Sequence, residues 1–330
     1  MITAVIRADA NVAIGTGHVM RSLALAQGCR AAGVAVRFVM SVEGSALAHR
    51  ITADGFEVST IDVSPGSSAD AHATANLVKE SDAGWLVVDA YYETPYFEAV
   101  ESATPSLLIV DDYGHLRRYR GDIVLNQNLA AKADWYANRP HGTALLLGPT
   151  YALLRDEFVN FHRPVRTFTG DDRRVLITLG GSDTHDVTRG VIDTVRKAGL
   201  DHVAVVGSAY PHPLPAGVRR DVRDMPELMA WADVAVAGGG TTTLELAYMG
   251  LPAVLIEVAR NQRENISALE AARLAVSAGR SEDFELDSLQ VRLERLIKDP
   301  ELRTQMSARG RGAVDGSGRQ RVVSAMLNFA

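Results

Sequence analysis

The chain of 330 residues contains one cysteine, Cys29. A single thiol excludes an internal disulfide and a thiol-built zinc site, and it fits a reducing, cytoplasmic setting. Positive charge is also in short supply: 34 Lys and Arg stand against 40 Asp and Glu, for a net charge of −6 and a pI near 5.9. That balance gives no general electrostatic drive toward nucleic acid or an anionic membrane, while leaving room for a local cationic pocket. No apolar run approaches the roughly 20 residues of a membrane span. The N-terminal stretch MITAVIRADANVAIG carries an acid within its first ten residues and no long apolar core, contrary to a signal peptide. The expectation is a soluble, cytoplasmic protein with no nucleic-acid partner and no membrane insertion.

What is present is enough apolar residue, 47% of the chain, to build two ordinary cores. Short β-rich runs alternate with longer Ala-, Leu- and charge-bearing stretches, the pattern of βα units around parallel sheets. The runs predict strands at Thr3 to Ala8, Val34 to Met40, Phe56 to Ile61, Trp85 to Asp89, Leu107 to Asp111, Ile123 to Asn126 and Ala144 to Leu147. Periodicity lapses over RDEFVNFHRPVRTFTGDDR, read as a linker. It restarts at Val175 to Leu179, Val203 to Val206, Val218 to Val222, Val234 to Ala237 and Ala253 to Glu257. The predicted fold class is α/β: Rossmann-like α/β/α domains over 1–155 and 156–319, with a helix over 320–330 folding back onto the first. Strand C-termini of both would line a cleft.

Two loops carry the chemistry. After the first strand, DANVAIGTGHVMRSLALA places Gly15 and Gly17 around a tight turn and His18 at a helix start, where backbone can approach a ligand closely and free amides favour an anion such as a diphosphate. Met20 occupies the third glycine position of G-x-G-x-x-G, which disfavours NAD. His18 is either a general base or a residue that caps or packs the turn. Asp9 is placed to orient the imidazole or to cap the turn, and Arg21, one helical turn on, is a candidate ion-pair partner. In the second domain, GGGTTTLELAYMGLPAVLI offers glycines, hydroxyls and a helix start for phosphates. No lysine follows, so it is not a P-loop. Glu245 has two readings: a ribose-binding carboxylate, or the acid of a Thr242-x-x-Glu245 capping box.

RADANVAIGTGHVMRSLALA and ADVAVAGGGTTTLELAYMGLPAVLIEVARNQ together resemble the UDP-2,4-diacetamido-2,4,6-trideoxy-β-L-altropyranose hydrolases of pseudaminic acid biosynthesis. More distantly, the second stretch resembles the N-acetylglucosaminyltransferase that forms lipid II. The resemblance implies a GT-B fold, no metal and no cofactor, and hydrolysis of a UDP-sugar with inversion at C1. It puts the catalytic histidine on His18. The sugar contacts fall on Tyr91, Asn261 and Gln262, the pyrophosphate on Gly240, Thr241 and Thr242, the ribose on Glu245 and the uracil near Met225. Gly17, beside His18 in the first loop, is expected among the substrate-binding residues together with Asp9 and Arg21. Ala90 departs from the family, where an aromatic or histidine often precedes the matched tyrosine.

There is no D-x-D sequence and no His/Cys cluster with metal-ligand spacing; His115 near Asp111 and Asp112, and His185 between Asp183 and Asp186, read as polar loop residues. The rival functions are a glycosyltransferase with a UDP-sugar donor and an alcohol acceptor, and a non-catalytic nucleotide-sugar binding module.

Overall fold

The computed structural model describes residues 2–102, 105–181, 183–280 and 286–329. It divides into two compact units, Met1–Arg155 with Ser317–Ala330, and Asp156–Gly316.

The first unit holds seven strands: β1 Thr3–Ala8, β2 Ala35–Ser41, β3 Glu57–Ile61, β4 Trp85–Asp89, β5 Leu107–Val110, β6 Ile123–Asn126 and β7 Ala144–Leu147. They form one sheet in the order β3-β2-β1-β4-β5-β6-β7, every pair parallel. Each parallel connection crosses over through a separate segment, and helices on both faces turn the inner strands into nearly unbroken apolar runs. Along β1, Ala4, Ile6 and Ala8 point to one face with Phe38, Met40, Trp85 and Val87. Val5 points to the other with Val39, Leu86, Val88 and the Tyr96, Phe97 and Val100 side chains of the helix Thr94–Glu101.

The helix Gly17–Ala31 is buried from His18 to Cys29 apart from a half-buried Met20. It lies between the sheet and the terminal helix Gly318–Phe329, which adds Val322, Val323 and Met326 to the same core. The two helices meet at Gly28, where an added Cβ would lie 3.4 Å from the Arg319 side chain and from Val323. The terminal helix begins two residues before the predicted segment. Its first residue, Gly318, lies so close to Ala152 that a Cβ would fall 2.3 Å from the Ala152 carbonyl oxygen. Cys29 is buried in this layer, and burial pushes its thiol up to about 12.

The second unit holds β8 Arg174–Thr178, β9 Asp201–Val206, β10 Arg219–Arg220, β11 Val234–Gly238, β12 Ala253–Glu257 and β13 Val276–Arg280. Their order is β10-β9-β8-β11-β12-β13, again parallel throughout. Val175, Ile177, Val234, Val236, Val254 and Ile256 pack with Val191 and Val195 of one helix and Leu289 and Leu293 of another. Both edges differ from the sequence reading. β10 shrinks to two exposed residues, and β13, with the sequence VSAGR, was not predicted because an edge strand of small residues has no apolar run. The expected linker is bonded to this unit. Arg166 donates to the carbonyls of Met229, Ala232 and Met249, and Arg163 donates to that of Tyr248, so two helix C-termini receive their missing donors from it. Among the described residues no helix is long and apolar enough to cross a membrane.

Candidate active site

In the first sheet the strand order reverses between β1 and β4, and a doubly wound sheet binds ligands where such a reversal opens the loops beyond the strand ends. The loop after β1 is shaped by Asn11, whose side-chain oxygen accepts from the amides of Ala13 and Ile14 at 2.9 and 3.0 Å. Gly15 follows with φ of 75°, a left-handed turn that glycine adopts at low cost. Gly17 then opens the helix and His18 is its second residue, 7% exposed.

Asp89, the last residue of β4, lies across the reversal. His18 Nδ1 is 2.6 Å from Asp89 Oδ1, while Arg21 grips the same carboxylate with Nε at 2.8 Å and Nη2 at 2.7 Å. Ser22 donates its hydroxyl to Asp89 Oδ2 at 3.0 Å. Arg21 Nη2 is also 3.3 Å from His18 Nδ1, but a guanidinium has only donors. The short contact to the carboxylate therefore assigns the proton to Nδ1, from which it is donated to Asp89. A neutral ring then carries its lone pair on Nε2, and among the described residues no group bonds that nitrogen.

Asp112 extends the cluster. It accepts from Arg21 Nη1 at 2.7 Å, Asn128 Nδ2 at 2.8 Å and the Tyr91 hydroxyl at 2.5 Å. The Tyr91 ring stands edge-on to His18, centroids 4.8 Å apart. Burial pushes the Asp89 and Asp112 carboxyls up, but Arg21 above all, helped by the His18 bond to Asp89 and the Tyr91 bond to Asp112, more than offsets it and holds both below the usual carboxylate range. Burial likewise works against the Arg21 charge, and the two carboxylates outweigh it, keeping the guanidinium protonated. With one cation against two carboxylates, the cluster is short of one positive charge. A proton arriving on His18 would neutralise it.

Asp9 does not orient the imidazole. Its carboxylate sits 2.7 Å from Arg7 Nη1 and accepts from the Ser41 amide at 2.8 Å and the Tyr92 hydroxyl at 3.2 Å, in a network that also holds Asp70. Its place next in chain to β1 made it the nearest acid in sequence, whereas the acid nearest in space comes from the adjacent strand β4. His115 uses both ring nitrogens, Nδ1 2.7 Å from Asp111 and Nε2 3.1 Å from the Tyr92 carbonyl. Among the described residues no group of three His, Cys, Asp or Glu is arranged to hold a metal ion.

The second sheet reverses between β8 and β11. After β11, Gly239 donates its amide to Gln262 Oε1 at 3.0 Å, and that oxygen also accepts from the Val258 amide at 3.1 Å. Asn265 donates to the Gly239 carbonyl at 3.2 Å. A Cβ on Gly239 would lie 2.5 Å from Ile266, so the turn is closed to side chains there, while Gly240 is open except for Gln262 Nε2 at 3.7 Å. The helix runs Thr242–Met249 with Thr241 as its N-cap and no side-chain cap bond. The capping box on Thr242 is thereby corrected: Thr242 is already helical, and Glu245 is the fourth residue of the helix. Among the described residues, neither the Thr241 nor the Thr242 hydroxyl has a partner. Gln262 closes a 3-10 turn, Arg260–Gln262, that also contains Asn261, and Met225 begins the helix Met225–Trp231.

MurG from Acinetobacter baumannii superposes on 99% of the chain and 100% of its own, with a TM-score of 0.63 at 14% identity. The fold is GT-B. Residues 216–319 of this GT-B chain match the glycosyltransferase family 28 C-terminal domain. Among curated relatives, the UDP-N-acetylglucosamine--N-acetylmuramyl-(pentapeptide) pyrophosphoryl-undecaprenol N-acetylglucosamine transferase of Acidithiobacillus ferrooxidans is 31% identical over 61% of this chain and 57% of its own. The UDP-2,4-diacetamido-2,4,6-trideoxy-beta-L-altropyranose hydrolase of Campylobacter jejuni is 27% identical over 61% of this chain and 69% of its own. For three of the curated relatives the match spans 56% to 59% of their length.

Asp89, Asp112, Ser22 and Asn128 are the site residues that sequence reasoning missed. The available signal was positional: Asp89 ends its strand, and Asp112 and Asn128 each lie two residues beyond theirs, where a parallel sheet presents its ligand face.

Proposed function

We propose that the chain hydrolyses a UDP-linked 2,4-diacetamido-2,4,6-trideoxy sugar, with His18 as general base. The observation that carries this reading is the 2.6 Å contact of His18 Nδ1 with Asp89, which leaves Nε2 to accept a proton. The nucleotide is assigned to the second unit, its diphosphate to the amides and hydroxyls of Gly240, Thr241 and Thr242, its ribose to Glu245 and its uracil to the neighbourhood of Met225. Tyr91, Asn261 and Gln262 are assigned to the sugar. Gly17 lets the ligand approach the backbone beside His18, and Arg21 holds Asp89 in place; Asp9 is left with a structural part.

Nε2 takes a proton from water as the water oxygen bonds to C1. The bond from C1 to the diphosphate oxygen breaks on the opposite face, its electron pair leaving with UDP and the anomeric configuration inverting. Asp89 and Asp112 stabilise the imidazolium, and the helix start at Thr242 stabilises the charge on the departing diphosphate. The likeness to the Campylobacter hydrolase supports this assignment.

A second reading keeps the same site but replaces water by an alcohol acceptor. The likeness to the Acidithiobacillus transferase favours it. Release of UDP without acceptor, followed by anomeric NMR, separates the two: inverted free sugar supports hydrolysis, and turnover only with an alcohol present rejects it. His18→Asn should bind UDP as the wild type does and lose turnover; undiminished turnover in that variant would remove His18 from the chemistry.

A further inference from the structure

Resting on the reading just given, we propose that Tyr113 is a specificity-determining residue whose ring forms the outer wall of the sugar site and selects sugars bearing methyl groups. Rings stand in a row outward from the base. Tyr91 is 4.8 Å from His18, and Tyr113 is 5.2 Å from Tyr91, centroid to centroid. His115 backs both, 5.6 Å from Tyr91 and 5.8 Å from Tyr113.

The loop that carries Tyr113 is pinned. Asp111 accepts from the Gly114 amide at 2.7 Å and holds His115 and the Tyr119 hydroxyl, while Asp112 is fixed by Arg21 and Asn128. Gly114 has φ of 72°, and a Cβ there would lie 2.7 Å from Trp135, so the turn packs against Trp135 with room for glycine alone. Yet Tyr113 itself is 40% exposed, and among the described residues its hydroxyl has no partner. A large ring held out on a fixed backbone has its ordering cost already met, which is the property of a preorganised contact surface.

The sugar of the proposed substrate carries three methyl groups, one on each acetamido group and one at C6. UDP-N-acetylglucosamine has a single acetamido group and a hydroxyl at C6. An aromatic face rewards the methyl groups and gives little to the hydroxyl, and one such group in an apolar pocket is worth about tenfold or more in kcat/KM.

The test compares wild type, Tyr113→Ala and Tyr113→Phe on the two sugar nucleotides. The proposal expects Tyr113→Ala to lose about tenfold in preference for the diacetamido sugar, mainly through KM, and Tyr113→Phe to keep the preference. An unchanged preference in Tyr113→Ala, or an equal loss on both substrates, overturns it. If wild type releases no UDP without acceptor, the hydrolase reading fails by itself. The wall is then read by calorimetry in a His18→Asn background, where Tyr113→Ala must lower affinity for the diacetamido sugar nucleotide more than for UDP-N-acetylglucosamine; equal changes overturn it.

Discussion

At the scale of single residues, the site is organised by one carboxylate that serves two donors. Asp89 accepts from His18 and from both arms of the Arg21 fork, and this fixes which ring nitrogen keeps its proton. Asp89→Asn presents an amide in place of an acceptor-only group and favours the wrong tautomer. For a base oriented in this way the expected loss is about 10³- to 10⁴-fold in kcat, with UDP affinity retained. Steady-state kinetics and a UDP titration on the same variant check it, and a loss below about tenfold would detach Asp89 from the base. Asp112→Asn should act more mildly, since Asn128 and Tyr91 are repositioned while His18 keeps its partner.

At the scale of elements, glycines mark where two segments come closest. Gly239 carries no strain in φ, but a methyl group there would meet Ile266 at 2.5 Å and Gln262 at 3.0 Å. Gly239→Ala should therefore displace the turn before the helix Thr242–Met249, destabilise the second unit by about 1–3 kcal/mol and weaken UDP binding. Denaturant unfolding with and without UDP measures both. At Gly318 the neighbours are backbone atoms of Tyr151 and Ala152, which cannot swing aside as a side chain would. Gly318→Ala should loosen the terminal helix from the first unit and lower its melting temperature, seen as faster hydrogen exchange over 318–329.

At the scale of the whole chain, the two units differ in how acid acts on them. Asp89, Asp111 and Asp112 all lie in the first unit with carboxyls held below the unfolded value of about 3.9. A depressed folded value contributes stability that is fully present above the unfolded value and is lost as pH falls through the folded one. In the second unit the lowered carboxyls, Asp186, Asp233 and Glu294, have as their charged partners arginines that are roughly half exposed and, for Glu294, a more exposed lysine, so their contribution is smaller. Acidification from about pH 7 to about pH 3 should lower the hydrogen-exchange protection factors, taken against the intrinsic rate at each pH, in β4 more than in β11. An equal loss of protection in the two strands would contradict this.

Much of the architecture was legible because parallel strands buried on both faces must be apolar along their whole length. β4, β6, β7 and β12 fall on the predicted runs residue for residue. The edges of the second sheet were less legible: β13, built of small residues, left no apolar run, and β10, predicted over Val218 to Val222, keeps only two exposed arginines. Glycine-rich turns at 15–17 and 238–240 were visible for the same kind of local reason, since backbone conformation and close approach are encoded in the residue itself. The partner of His18 was not. Asp89 is 71 positions away in sequence, and Asp112 is 91 from Arg21. Nothing local separates these acids from Asp9, the nearer one. Strands, the α/β class and a histidine at a helix start are thus all set by short stretches of chain read on their own. Which carboxylate meets that histidine is set only by the folded sheet, because the crossover that lays β4 beside β1 is a property of the strand order and is written in no single segment.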